Sequence, residues 1–166
     1  MALLCIIIIK DERGVFMKIG IANDHAATEM KFAIIKYLEE KGYEVINYGF
    51  DTNESCDYPL AGERLANGIM NKECERGIAI CGTGVGISIA CNKVNGIRAG
   101  VCSETKTAEL IREHNDAQII AFGARIVDLE KAKELIDTFL NTEFYDPNGR
   151  HTRRISEIKE IEKRQH

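Results

Sequence analysis

The sequence predicts an α/β fold in which a five-stranded parallel sheet is covered by helices on both faces. Short apolar segments alternate with amphipathic ones along the chain. Strands separated by helices form βαβ units, and such units build parallel sheets. The chain has 166 residues, of which 45% are hydrophobic, and this suits one domain with a substantial core.

Strands are predicted at 18–23, 43–50, 77–82, 96–102 and 117–123. The third is short and continuously apolar, as in a central strand with both faces covered. Helices are predicted at 28–41, 60–71, 84–94, 104–114, 128–141 and 151–165.

Local signals support the first, fifth and last helices. In the first, Met30, Ile34 and Leu38 share one face, and Gly42 stands where a helix should stop. Asp128 is a suitable N-cap for the fifth. The last helix is charged all round except for a narrow stripe of isoleucines, which predicts that it lies across another surface, such as a second subunit. The stripe consists of Ile155, Ile158 and Ile161.

Residues 1–16 are predicted to be an extension, or the product of an upstream start site, preceding a single domain at 17–166. The segment MALLCIIIIK is too short to span a bilayer, which takes about 20 residues. It also lacks the basic region and cleavage site of a signal peptide. An additional strand is the alternative.

Charge and cysteine content exclude several classes of function. A formal net charge of −4 argues against general binding to nucleic acid or membranes. The six cysteines form no CxxC pair and no cluster with zinc-ligand spacing. We therefore expect free thiols in a reducing, cytoplasmic compartment and no metal site.

Ligands of parallel α/β sheets bind at the carboxyl ends of the strands, in the loops that lead into helices. Three such connections carry unusual residues. The first strand ends in NDHAAT, the third in CGTGVG, and the fourth leads through CSETKT into a helix that ends in REHND. The glycines allow backbone N–H groups to surround an anion. Their spacing matches neither the dinucleotide fingerprint nor the P-loop.

Cys81 begins the glycine-rich loop. A thiol beside a helix N-terminus ionises more readily and can act as a base or nucleophile. The alternative is a buried structural cysteine, which is the interpretation for the other cysteines outside the extension. These are Cys56, Cys74, Cys91 and Cys102.

Other polar residues have a functional and a structural interpretation. Asp24 and His25 follow the first strand, where the histidine could instead cap the next helix. His114 ends a helix, where its charge could instead interact with the helix dipole. Arg150 and Arg154 lie four residues apart and suit a phosphate dianion if a helix begins near 150, although charged residues at such positions are often solvated.

Six motifs in this order resemble the family that comprises ribose-5-phosphate isomerase B and the galactose-6-phosphate and allose-6-phosphate isomerases. The resemblance extends from Met17 to about Arg164. The motifs are NDHA, DYP, ICGTGVGISIACNKVNGIRA, REHND, AFGARIV and GRHTRR. It implies a three-layer α/β/α sandwich and an aldose–ketose isomerase of the pentose phosphate pathway that needs no metal or organic cofactor. It also implies a homodimer or a tetramer with active sites shared between subunits.

The resemblance also implies residue roles. Cys81 would be the base, Thr83 and the loop amides would stabilise an enediolate, and His114 with Asp24 would open the sugar ring. The phosphate would be bound by His25, Arg125, Arg150 and Arg154. Tyr58, Gly82, Gly84, Gly86 and Asn115 would be further substrate contacts. Within an assembly, the partner subunit would supply the histidine at 114, the asparagine at 115 and the arginine at 125.

A branch of this family uses a glutamate at the position of Ile87, so the chain resembles the cysteine-base branch. Ala27 stands where the family usually has glycine. The alternatives are an isomerase for allose 6-phosphate or galactose 6-phosphate and, from another class, a non-catalytic nucleotide-binding module of flavodoxin-like shape.

Overall fold

The computed structural model describes residues 16–165. The strands are β1 (Lys18–Asn23), β2 (Glu44–Asn47), β3 (Arg76–Cys81), β4 (Ala99–Val101) and β5 (Ile119–Gly123). These five parallel strands form one sheet in the order β2-β1-β3-β5-β4, which confirms the predicted fold class. The predicted extension lies outside the described residues apart from Phe16.

Helices cover both faces of the sheet and enclose two hydrophobic cores. Ile34, Leu38 and Phe139 belong to the core under α1, α4 and α5, whereas Leu65 and Ile87 belong to the core under α2 and α3. The helices are α1 (Thr28–Glu40), α2 (Tyr58–Met70), α3 (Val85–Cys91), α4 (Thr105–Asn115), α5 (Leu129–Asn141) and α6 (Arg150–Arg164). Within residues 16–165, no helix has the length and apolar character needed to cross a membrane.

The two edge strands are shorter than predicted, and each has a local cause. β2 ends at Asn47 because its side-chain oxygen accepts a hydrogen bond from the N–H of Gly49 at 3.0 Å, which turns the chain. β4 starts only at Ala99 because a turn with Gly96 in the left-handed region, at φ +88°, precedes it.

The buried face of α1 also differs from the prediction. Ile34 and Leu38 are fully buried as expected, but Met30 is only partly buried and Lys31 is completely buried. This is possible because the ammonium group of Lys31 has a carbonyl and a carboxylate partner in the segment after β2. The predicted N-cap of α5 is confirmed, since Asp128 accepts a hydrogen bond from the N–H of Lys131 at 2.8 Å.

The last helix packs against its own chain through the first residue of the predicted isoleucine stripe. Ile155 is buried, and the carboxylate of Glu162 accepts a hydrogen bond from the N–H of Gly96 at 2.9 Å. Ile158 and Ile161 remain partly exposed beside a groove of about 380 Å³. Contact of α6 with a second subunit stays a prediction.

Candidate active site

Cys81 is the last residue of β3, the central strand of the sheet. Only 4% of the residue is exposed, and the N–H of Gly84 donates a hydrogen bond to its Sγ atom at 3.1 Å. A backbone N–H donor stabilises negative charge on sulfur. The loop therefore bends back over the cysteine and places a backbone donor at its sulfur.

At two positions of this loop, there is no room for any residue larger than glycine. Gly84 has φ +82°, and a Cβ atom there would lie 2.6 Å from the carbonyl carbon of Phe122 in β5. A Cβ atom at Gly86 would lie 2.6 Å from the ring of Tyr58, which covers this part of the loop. The glycine spacing therefore reflects close packing of the loop between β5 and the start of α2.

Asp24 and His25 lie beside Cys81 because β1 is the neighbour of β3 in the sheet. The N–H of Asp24 donates to the carbonyl of Ile80 at 3.2 Å. The carboxylate of Asp24 caps the 3-10 turn at His25–Ala27 by accepting from the N–H of Ala26 at 2.9 Å. The expected alternative of a histidine cap is therefore wrong. His25 Nδ1 instead accepts from the N–H of Cys56 at 3.2 Å.

Arg125 and Thr83 complete this edge of the site. The N–H of Arg125 donates to the carbonyl of Gly82 at 3.1 Å, and its guanidinium lies against the same glycine. Thr83 is exposed, and its hydroxyl oxygen accepts from the N–H of Val85 at 3.3 Å. Arg125 thus contacts the loop of its own chain, whereas we expected it to be supplied by a partner subunit. Its use by a partner's site stays a prediction.

These residues form one group at the carboxyl edge of the sheet, which we call the cysteine-loop cluster. They are supplied by the end of β3, by the segments that follow β1, β3 and β5, and by the starts of α2 and α3. The cluster consists of Asp24, His25, Tyr58, Cys81, Gly82, Thr83, Gly84, Gly86 and Arg125.

His114 and Asn115 lie at the opposite, amino edge of the sheet. They end α4, which returns from the carboxyl end of β4 to the start of β5. Arg98, which precedes β4, donates from Nε to the carbonyl of Asn115 at 2.7 Å. A strand of six residues such as β3 separates the two edges by about 16 Å. Grouping REHND with the carboxyl-edge loops is therefore wrong, because a crossover helix carries its C-terminus back to the amino edge.

At the amino edge, His114 stacks on His151, with ring centroids 4.3 Å apart and an interplanar angle of 12°. Desolvation lowers the pKa of His151 below its ordinary value, and the nearby charges of His114, Arg150 and Arg154 lower this pKa further. We call this group the histidine–arginine cluster; its members are His114, Asn115, Arg150, His151 and Arg154.

Asp146 holds the start of α6 in place within this cluster. Its carboxylate accepts from the N–H groups of His151 and Thr152, at 3.1 and 2.8 Å, and from the hydroxyl of Thr152 at 2.6 Å. Desolvation alone would raise the pKa of Asp146, but these hydrogen bonds outweigh it and bring the pKa down to about 2. His151 and Asp146 were not predicted as site residues from the sequence. His151 had a signal, since it lies in GRHTRR beside a selected arginine, whereas Asp146 had none.

The interpretation of Cys91 and Cys102 as structural thiols agrees with their surroundings. Burial raises the pKa of each to about 12, so both are protonated at neutral pH. Burial raises the pKa of Cys74 to about 11 in the same way. All five cysteines of the described part are free thiols. Residues 16–165 also contain no group of three or more histidine, cysteine, aspartate or glutamate side chains placed to hold a metal ion.

The fold is that of a parallel α/β protein, and the cysteine-loop cluster is a candidate ligand site at the carboxyl edge of its sheet. The family model described as Ribose/Galactose Isomerase matches residues 19–158. This match covers most of the chain, and the chain therefore belongs to this family.

Individual relatives agree with this membership. The chain is 46% identical over 147 residues to ribose-5-phosphate isomerase B of Escherichia coli, covering 89% of the chain and 97% of that protein. It is 45% identical over 129 residues to D-erythrulose-4-phosphate isomerase of Pectobacterium atrosepticum, covering 77% of the chain and 85% of that protein. The solved structure of ribose-5-phosphate isomerase B from Clostridium thermocellum matches with a TM-score of 0.88 and 51% identity, covering 90% of the chain and all of that structure.

Replacing Gly84 by alanine tests the packing of the loop, with Gly149→Ala as the matched control. Both glycines have positive φ, but a Cβ atom at Gly149 would meet nothing within 4 Å. We expect Gly149→Ala to lower the free energy of unfolding by about 1–2 kcal/mol, the cost of the left-handed backbone. Gly84→Ala should cost roughly 3 kcal/mol or more, because the backbone of β5 must also move. Urea unfolding measures both, and equal losses would contradict the packing argument.

Proposed function

We propose that this protein is an aldose–ketose isomerase that interconverts ribose 5-phosphate and ribulose 5-phosphate, with Cys81 as the base. The observation that carries the proposal is the hydrogen bond from the N–H of Gly84 to Cys81 Sγ, at the end of the central strand and beside Asp24. Membership of the ribose/galactose isomerase family and the similarity to ribose-5-phosphate isomerase B of two bacteria support it.

The reaction moves protons and needs no oxidant. The thiolate of Cys81 takes the proton from C2 of the open-chain aldose, and the electrons of the C–H bond form the C1–C2 double bond of an enediolate. Return of the proton to C1, with transfer of a proton from O2 to O1, gives the ketose. Negative charge develops on oxygen, where the Thr83 hydroxyl and the amides of the glycine loop would stabilise it. No metal or organic cofactor has a role in this scheme.

The phosphate and the sugar ring require positively charged groups and a proton donor. His25 and Arg125 lie near the loop and suit one side of a phosphate dianion. Arg150 and Arg154 would bind the other side, and His114 would open the ring with help from Asp24. Tyr58 would cover the sugar, and Asn115 would contact it.

The separation of the two clusters supports a homodimer in which each site is shared. One chain cannot bring His114 to its own Cys81, because the length of β3 lies between them. A second copy that presents its histidine–arginine cluster to the cysteine loop would complete the site. Large apolar side chains are exposed on α3, β4 and the turn after β5, as at a subunit contact. They are Val85, Ile89, Val101 and Ile126. A tetramer would contain the same pairing twice.

The size of the sugar is the open choice within this proposal. The isomerase for D-erythrulose 4-phosphate is almost as similar in sequence as the one for ribose 5-phosphate, at 45% against 46% identity. That observation makes a four-carbon sugar phosphate the second candidate, alongside the expected alternatives allose 6-phosphate and galactose 6-phosphate. We also propose a cytoplasmic location, which the free thiols of the described cysteines support.

Replacing Cys81 by alanine tests the base. We expect kcat to fall by about 10²–10⁴-fold, the contribution of a positioned base, with the free energy of unfolding little changed. Cys91→Ala, which also removes a buried thiol, is the control and should retain kcat. The assay is run in EDTA, so that a contaminating metal cannot contribute. Undiminished turnover of Cys81→Ala would refute the assignment.

Mixing two inactive variants tests the shared site. Cys81→Ala and His114→Ala subunits are unfolded together and refolded as a mixture. If each site combines the two residues from different subunits, about a quarter of wild-type turnover returns, since half the dimers are mixed and each mixed dimer has one intact site. If both residues acted within one chain, mixing would restore nothing.

A panel of sugar phosphates tests the substrate. We expect the highest kcat/KM with ribose 5-phosphate, measured against D-erythrulose 4-phosphate, allose 6-phosphate and galactose 6-phosphate. A higher kcat/KM with another sugar phosphate would identify that compound as the preferred substrate in place of ribose 5-phosphate. A thermal shift with nucleotides and none with any sugar phosphate would favour the non-catalytic nucleotide-binding module.

A further inference from the structure

Lys31 is a buried lysine that the proposed reaction does not use. Its side chain is fully inaccessible to solvent, on a buried face of α1 that it shares with Thr28, Ile34 and Leu38. Burying an ammonium group is costly unless it is paired. A smaller apolar residue would fill this position at less cost, so the charge itself needs an explanation.

The hydrogen-bonding partners of Lys31 are consecutive residues in the segment that follows β2. Its Nζ donates to the carbonyl of Phe50 at 2.7 Å and forms an ion pair with the carboxylate of Asp51. The hydrogen bond from Lys31 is the main cause that holds the pKa of Asp51 below its ordinary value, and a hydrogen bond from Asn47 adds to this effect. The Asp51 side chain is 61% exposed, so the buried end of the pair is the lysine.

Neighbouring residues fasten the same segment to the end of β1 and the start of α1. Asn23 Nδ2 donates to the carbonyl of Phe50 at 3.1 Å, and the hydroxyl of Thr28 donates to the carbonyl of Thr52 at 2.7 Å. Gly49 lies so close that a Cβ atom there would be 2.0 Å from Asn23 Oδ1. Residues 49–52 are therefore packed tightly against the elements that carry Asp24 and His25.

A residue further along this segment, Cys56, donates one hydrogen bond to His25 in the candidate active site. The N–H of Cys56 donates to His25 Nδ1 at 3.2 Å. A ring nitrogen that accepts a hydrogen bond carries no proton, so the neutral imidazole of His25 has its proton on Nε2. Nε2–H is then left as the donor toward a ligand at the cysteine loop.

We propose that Lys31 is a positioning residue that fixes the tautomer and orientation of His25 by anchoring residues 50–56. The role of His25 toward a phosphate rests on the proposed function, whereas its tautomer does not. Because a phosphate contact holds substrate and transition state alike, loss of the anchor should weaken binding and leave the chemical step intact.

The test compares Lys31→Met with Lys36→Met, which changes an exposed lysine of the same helix. In Lys31→Met, we expect KM for ribose 5-phosphate and the inhibition constant of inorganic phosphate to rise together by about tenfold, the value of one charge-assisted hydrogen bond, with kcat within about twofold. Lys36→Met should change none of the three. An equal fall in kcat and kcat/KM would overturn the proposal.

Nitrogen-15 NMR of the imidazole rings provides a readout that does not depend on activity. The His25 signals are assigned with His25→Gln. The wild-type spectrum should show His25 with its proton on Nε2, and Lys31→Met should show a mixture of tautomers. An unchanged His25 spectrum in folded Lys31→Met overturns the inference even if the protein is a confirmed isomerase. A changed spectrum in a protein without isomerase activity supports the positioning role and refutes the function instead.

Two milder variants keep the test decisive if Lys31→Met does not fold. Thr28→Val removes the hydrogen bond to the Thr52 carbonyl, and Asp51→Asn removes the exposed half of the ion pair. Each should shift the His25 tautomer and raise the phosphate inhibition constant in the same direction as Lys31→Met, by a smaller factor. If both fold and leave these two quantities at wild-type values, Lys31 has only a structural role.

Discussion

The candidate site depends on the close approach of the loop after β3 to the end of β5. A Cβ atom at Gly84 would lie 2.6 Å from the carbonyl carbon of Phe122, and one at Gly123 would lie 2.6 Å from the carbonyl oxygen of Gly82. Two backbones can come this close only where neither carries a side chain. This contact turns the amide of Gly84 toward the sulfur of Cys81 and holds the cysteine at the floor of the loop.

Different chemical groups are divided between the two clusters. At the carboxyl edge the chain places a carboxylate, a thiol and backbone amides, with Arg125 at the border. At the amino edge it places stacked histidines and two arginines, and the carboxylate of Asp146 caps the helix that carries His151 and both arginines. The proposed isomerisation of a sugar phosphate would need a base at one end of the substrate and cations at the other. A single chain carries both sets, but at opposite ends of its own sheet.

Sequence patterns were most reliable where the physical cause is local. The N-cap at Asp128 depends on residues within one helical turn, and it was predicted from sequence. The start of α6 at Arg150 lies one residue before the predicted start at 151. The buried face of α1 was predicted only in part. Apolar periodicity includes Met30, but it gives no reason to expect Lys31 inside, because its partners come from a segment about 20 residues further along the chain.

The sequence by itself determined the alternation of strands and helices, the glycine loop and the cysteine that begins it, because periodicity and glycine spacing are properties of neighbouring residues. The tertiary structure decided which of these residues meet. Placing β3 between β1 and β5 brings Asp24 and Arg125 to Cys81, and no local pattern specifies that order. The path of α4 back across the sheet carries His114 to the other edge, since a parallel crossover must return to the amino end before the next strand begins.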